Sequence, residues 1–117
     1  MEIKDATVAL SALGQATRLS VFRLLVEAGP EGRMAGDIAD ALSLPGATLS
    51  FHLKELSTAG LIKGEPRGRF ICYRADFERM NALIAFLTRN CCGGQAMAEC
   101  LPGANRLAEK AAGGTGT

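Results

Sequence analysis

The sequence predicts a mainly α-helical domain that carries one small β-hairpin. Apolar residues recur at helical spacing in five separate stretches. Only one stretch, LIKGEPRGRFICYR at 61–74, leans towards β-structure, around a turn-rich centre. Glycine or proline stands just beyond most of the helical stretches. At 117 residues and 48% hydrophobic content, the chain suits a single domain with a modest core.

The first stretch, residues 3–13, sets Ile3, Ala6, Leu10 and Leu13 at helical spacing. The second, ATRLSVFRLLVEA at 16–28, is densely apolar and stops at Gly29 and Pro30. MAGDIADALS at 34–43 reads as a short helix and LPG at 44–46 as a turn. ATLSFHLKELSTA at 47–59 forms another short helix, closed by Gly60 at the C′ position. The hairpin follows, with GEPRG at its tip. Asp76 then caps a helix that runs to about Asn90, with a stripe of Phe77, Met80, Leu83, Ile84 and Leu87, and Gly93-Gly94 stops it. From Leu101 onward the chain is small, Gly-rich and aperiodic, and disorder is expected. The expected division is a folded part, residues 1–92, and a flexible tail, residues 93–117, that contributes Cys100.

Two short helices joined by a tight turn, then a basic hairpin, have the order of a winged helix-turn-helix, a DNA-binding arrangement. The net charge of +1 is low for a nucleic-acid binder. Residues 45–75 are more basic, with Lys54, Lys63, Arg67, Arg69 and Arg74 against Glu55 and Glu65. On a helical wheel Leu49, Leu53 and Leu56 share one face of the helix after the turn. Ala47, Phe51, Lys54 and Thr58 lie opposite, with Ser50 on a flank. Phe51 has no core to enter there and suits a thymine methyl or a deoxyribose in the major groove; an ordinary exposed aromatic is the alternative. His52 lies beside the apolar face and is expected to be half-buried and hydrogen-bonded, with one phosphate contact in reach. Thr48, Ser50 and Lys54 suit phosphates or base edges, and Arg67 and Arg69 suit phosphate or minor-groove contact. Cys72, between Ile71 and Tyr73, is expected to be a small buried or half-buried thiol.

These residues resemble the ArsR/SmtB family of bacterial metal- and metalloid-responsive repressors. The likeness rests on LSALGQATRLSVFRLLVEAG at 10–29, GDIADAL at 36–42, LSFHLKELSTAGLI at 49–62 and GEPRGRFICYR at 64–74. It covers about residues 5–90 and is most specific in the spacing S-x-H-L-x-x-L-x-x-A-G-L from Ser50 to Leu61. The resemblance implies a homodimer formed through the first and last helices, and release of operator DNA when an inducer binds. Two metal sites common in the family are missing. RMAGDIA at 33–39 has no C-x-C pair, and DFERMNALIAFLTRN at 76–90 has Asp76 but no histidine. The chain is similar instead to a group of arsenic-responsive members with a Cys-Cys pair at the end of the last helix and a third cysteine shortly after. Cys91, Cys92 and Cys100 match that pattern.

The stretch NCCGGQAMAEC at 90–100 is therefore the candidate ligand site. No apolar run approaches the ~18 residues of a membrane span, and the N-terminus has no continuous apolar core of a signal peptide. A cytoplasmic protein with reduced thiols is expected. A disulfide between adjacent cysteines is strained; one from Cys100 to Cys91 or Cys92 is feasible across Gly93-Gly94, though not permanent in that compartment. A nucleophilic thiolate wants a helix N-terminus or a neighbouring cation, and this pair is expected at a helix C-terminus with no second base in the region. A closed zinc site takes four ligands, whereas the tail offers three sulfurs, Glu99 and no histidine. Trivalent arsenic or antimony takes three thiolates, with its lone pair in the fourth direction, so this donor set favours the metalloid. Cys91, four residues past Leu87, is expected to continue the apolar stripe and so to link the ligand to a dimer contact. That contact would set the spacing of two recognition helices across half-sites about 34 Å apart.

The function expected is a DNA-binding repressor released from its operator by As(III) or Sb(III). A thiol redox-sensing repressor of the same fold and a zinc-stapled protein-interaction domain are the alternatives. No acid–base pair or nucleophile–base set points to an enzyme.

Overall fold

The computed structural model describes residues 1–94 of the 117. Cys100 and the Gly-rich stretch from Leu101 lie outside the described residues. The elements run α1 (Ile3–Leu13), α2 (Ala16–Ala28), a single 3-10 turn (Gly29–Glu31), β1 (Arg33–Met34), α3 (Ala35–Leu42), α4 (Gly46–Thr58), β2 (Ile62–Arg67), β3 (Phe70–Ala75), α5 (Phe77–Thr88) and α6 (Cys91–Gly94). They fall into two compact units: Met1–Leu83, and a second that begins at Ile84. No described helix is long and apolar enough to cross a membrane.

Local hydrogen bonds set the starts of α1, α2 and α5. The Glu2 backbone N–H donates to the Asp5 carboxylate at 3.1 Å ahead of α1. The Gln15 side chain accepts from the Arg18 N–H at 2.8 Å and caps α2. Asp76 accepts from the Arg79 N–H at 3.0 Å, the N-cap expected from the sequence. Gly60, with φ 78°, follows α4 in the left-handed conformation that a C′ glycine supplies.

The core of the first unit joins Val21 and Leu25 of α2, Ile38 of α3, and Leu49, Leu53 and Leu56 of α4. α1 meets α2 and α4 through Ala6 and Ala9, both buried. The helix expected over residues 3–13 forms with those bounds, and of its spaced apolar residues Ala6 is buried while Ile3 and Leu10 are exposed. Alanine allows close approach of the helices, and the larger apolar groups are left on the outside.

The hairpin is part of a three-stranded antiparallel sheet in the order β1-β3-β2. β1 takes Met34 out of the helix expected over 34–43 and pairs it with Cys72. Gly32, at φ 69°, lets the chain pass against β3; a Cβ there would collide with the Tyr73 carbonyl oxygen. The wing tip is Gly68-Arg69, with Arg67 paired to Phe70, rather than GEPRG. Only Gly68 has positive φ in that two-residue connection, as a type II′ turn requires. Gly64 lies within β2 under the Tyr73 ring, where an added Cβ would come to 2.9 Å. Pro66 is tolerated because β2 is an edge strand.

α5 ends at Thr88, two residues short of Asn90. Asn90 has φ 58°, a left-handed break, and Cys91 opens the four-residue α6. The cysteine pair does not cap the C-terminus of α5, and Cys91 does not continue its stripe. The pair instead follows the left-handed Asn90 and begins a separate short helix.

Candidate nucleic-acid interface and thiol turn

α4 is reached from α3 through Ser43, which is left-handed at φ 53°, and Pro45, which precedes the first helical residue. Leu49, Leu53 and Leu56 then lock one side of α4 into the core, each 3% exposed or less. Thr48, Ser50, Phe51 and Lys54 are left exposed, and Phe51 is 56% accessible. Hydroxyls, an aromatic face and one cation together offer hydrogen bonds, apolar contact and charge to a groove.

His52 is not part of that outward set. It is 8% exposed, and its Nδ1 lies 3.3 Å from Nη1 of Arg18. Its ring meets Phe51 edge-on at 5.5 Å between centroids and 66° between planes. The sequence anticipated a hydrogen-bonded histidine beside the apolar face; it gave no sign of the partner, which lies 34 residues away.

In the wing, Arg67 donates from Nε and Nη2 to Glu65 Oε1 at 3.3 and 3.1 Å. One of the two tip cations is thus already paired along the strand. Lys63 lies 3.7 Å from Asp76. Lys54, Arg69 and Arg74 have no ion-pair partner among the described residues. Phe70 and Ile71, beside Arg69, are exposed and were not singled out from the sequence. The signal for them was the two-residue Gly68-Arg69 turn, which starts β3 at Phe70.

Of the candidate ligand residues, Cys91 and Cys92 open α6, and Cys91 is half-buried. Cys100 lies outside the described residues. Among the described residues no three His, Cys, Asp or Glu side chains are grouped to hold a metal. Cys72 is a core thiol, 5% exposed, whose Sγ–H donates to the Glu31 carbonyl at 3.4 Å.

A family model described as a helix-turn-helix domain matches residues 13–65, from the end of α1 into β2. An uncharacterised HTH-type transcriptional regulator of Methanocaldococcus jannaschii is 33% identical over 81 residues, covering 69% of this chain and 89% of that protein. The HTH-type transcriptional repressor SmtB of Mycobacterium tuberculosis is 38% identical over 74 residues, 62% of this chain and 53% of that protein, so the chain spans about half of that relative. Among solved structures, the homodimeric winged helix-turn-helix DNA-binding domain of a possible ArsR-family regulator from Mycobacterium bovis is similar with a TM-score of 0.60. It is 25% identical, and the likeness covers 75% of this chain and 82% of that one. These relatives are transcriptional regulators and not enzymes. The chain belongs to the HTH-type transcriptional regulators, and those it is similar to include the repressor SmtB and ArsR-like regulators.

Proposed function

We propose that the protein is a homodimeric cytoplasmic repressor, released from its operator when As(III) or Sb(III) binds Cys91, Cys92 and Cys100. The observation that carries the DNA reading is the division of α4 into a leucine face locked in the core and an exposed face of Thr48, Ser50, Phe51 and Lys54. Phe51 supplies apolar contact in the major groove, while Thr48, Ser50 and Lys54 bond base edges or phosphates. Arg69, and Arg67 once it leaves Glu65, meet phosphates or the minor groove from the wing. His52 supports α4 from behind; its burial leaves little room for the phosphate contact considered from the sequence.

Dimerisation is supported by apolar side chains left outside. Ile3 and Leu10 are exposed on α1, and Ile84 and Leu87 on α5. Covering each side chain with a second copy is favourable by roughly 1.5–3 kcal/mol at full burial. The inducer reading rests on the donor set, which is three thiols with no histidine in the tail. The left-handed Asn90 and Gly93, φ 69°, turn the backbone on both sides of the Cys91-Cys92 pair. Bound there, the ion would supply three sulfur bonds that draw the chain at Cys100 towards the pair.

A gel shift on a duplex selected by the protein from a random-sequence pool tests this. Arsenite is expected to release the wild type, while Cys100→Ser still binds the duplex but holds on to it in arsenite. Release of Cys100→Ser at the wild-type arsenite concentration would remove that residue from the site. Release of the wild type by peroxide and not by arsenite would establish the redox-sensing reading.

A further inference from the structure

Arg18, in the first turn of α2, ties three elements together. Its backbone N–H is held by Gln15. Its Nε donates to the Ala12 carbonyl at 2.8 Å. That carbonyl is among the last four of α1, which the helix itself leaves without partners. Its Nη1 reaches Nδ1 of His52, in the middle of α4. A guanidinium carries only donors, so Nδ1 must accept and the ring proton of a neutral His52 sits on Nε2. The oriented ring then meets Phe51. A continuous line of contacts runs from α1, through Arg18 and His52, to the exposed aromatic of α4.

The surroundings make this tie consequential. An open groove of about 350 Å³ runs beside the α1–α4 contact, lined by Thr7, Val8 and Ser11 on one side and Glu55 and Thr58 on the other, with Arg18 at its wall. Beside the groove, α1 approaches its neighbours only through the small side chains Ala6 and Ala9, so among the described residues the Arg18 fork is the polar tie between α1 and α4. Removing the guanidinium would leave a buried ring nitrogen of His52 unpaired, which is unfavourable and pushes the ring or the helix to move.

We infer that Arg18 is a positioning residue for DNA recognition: through His52 it sets the pose of Phe51 and ties that pose to α1. The inference rests on the reading of Phe51 as a groove contact. Because α1 is also one of the proposed dimer helices, a change at the dimer contact has a route to the recognition face that does not pass through the core leucines.

The test measures fluorescence anisotropy with the selected duplex and a scrambled one, across a salt series. Arg18→Gln is expected to weaken the selected duplex about tenfold. Its affinity for the scrambled duplex, and its slope of log K against log salt, stay at the wild-type values. His52→Asn puts Oδ1 where Nδ1 accepts and retains most of the selected-duplex affinity; His52→Leu loses as much as Arg18→Gln. The double variant Arg18→Gln/His52→Leu loses no more than either single one. Circular dichroism checks folding, and Arg18→Lys, which keeps the charge but not the fork, is expected to show the same loss in smaller measure. Wild-type affinity in both Arg18 variants overturns the inference. So does a salt slope lowered by about one, which would make Arg18 a phosphate contact. Phe51→Ala separates the two readings. Wild-type affinity there overturns the groove contact and this inference with it; weakening in Phe51→Ala, with none in Arg18→Gln, overturns the positioning role alone.

Discussion

α4 and the β2–β3 wing are the two elements proposed to meet DNA, and they are held in opposite ways. α4 is fixed from behind by Leu49, Leu53 and Leu56 and by the Arg18–His52 contact. In β2 only Ile62 is buried, and every residue from Lys63 to Arg67 is exposed. The wing depends on its ladder to β3 and on the Gly68 turn. Few buried apolar contacts mean low local stability. A side chain that must find one base edge belongs on the fixed element; a cation that must find a phosphate works from the adaptable one.

Substitutions in the two elements should separate accordingly. Leu56→Ala leaves a cavity behind α4 and is expected to lower global stability by about 2–5 kcal/mol in urea titrations. A loss below about 1 kcal/mol would mean that α4 is not anchored by its leucine face. Gly68→Ala forces an alanine into positive φ at a site with no atom within 4 Å of the added Cβ. It should cost about 1–2 kcal/mol from backbone strain alone, and a larger loss would show that the wing is more tightly integrated than its exposure suggests. The smallest change is expected for Glu65→Gln. The exposed pair with Arg67 adds little to stability, so unfolding should move by less than about 0.5 kcal/mol. Arg67 no longer has to break its pair before it meets a phosphate, so Glu65→Gln should tighten DNA binding several-fold at low salt. An unchanged affinity would place Arg67 off the DNA.

The parts legible in the sequence were those governed by neighbours along the chain. The leucine trio of α4, the Asp76 cap, the glycine after α4 and the outward Phe51 all follow from helical periodicity and capping, which act over a few residues. The misreadings have a common cause. β1 is two residues long and exists only through pairing with β3, some 40 residues later. The wing tip lies at Gly68-Arg69 and not GEPRG because residues 64–67 pair with residues 70–73 across the ladder. α5 stopped early at a left-handed Asn90, ahead of the glycines that looked like stronger breakers.

The sequence by itself determined the class of molecule: five amphipathic helices, one hairpin, a recognition helix with a hydrophobic back, and three thiols in an otherwise ligand-poor tail. Periodicity and donor type are local properties, and they can be read one residue after another. Only the tertiary structure decided that Met34 leaves its helix to pair with Cys72, that the Cys72 thiol donates to the Glu31 carbonyl, and that His52 finds its partner in Arg18. Each depends on distances set by how helices and strands pack, a matter of burial and backbone geometry that no single segment of the chain contains.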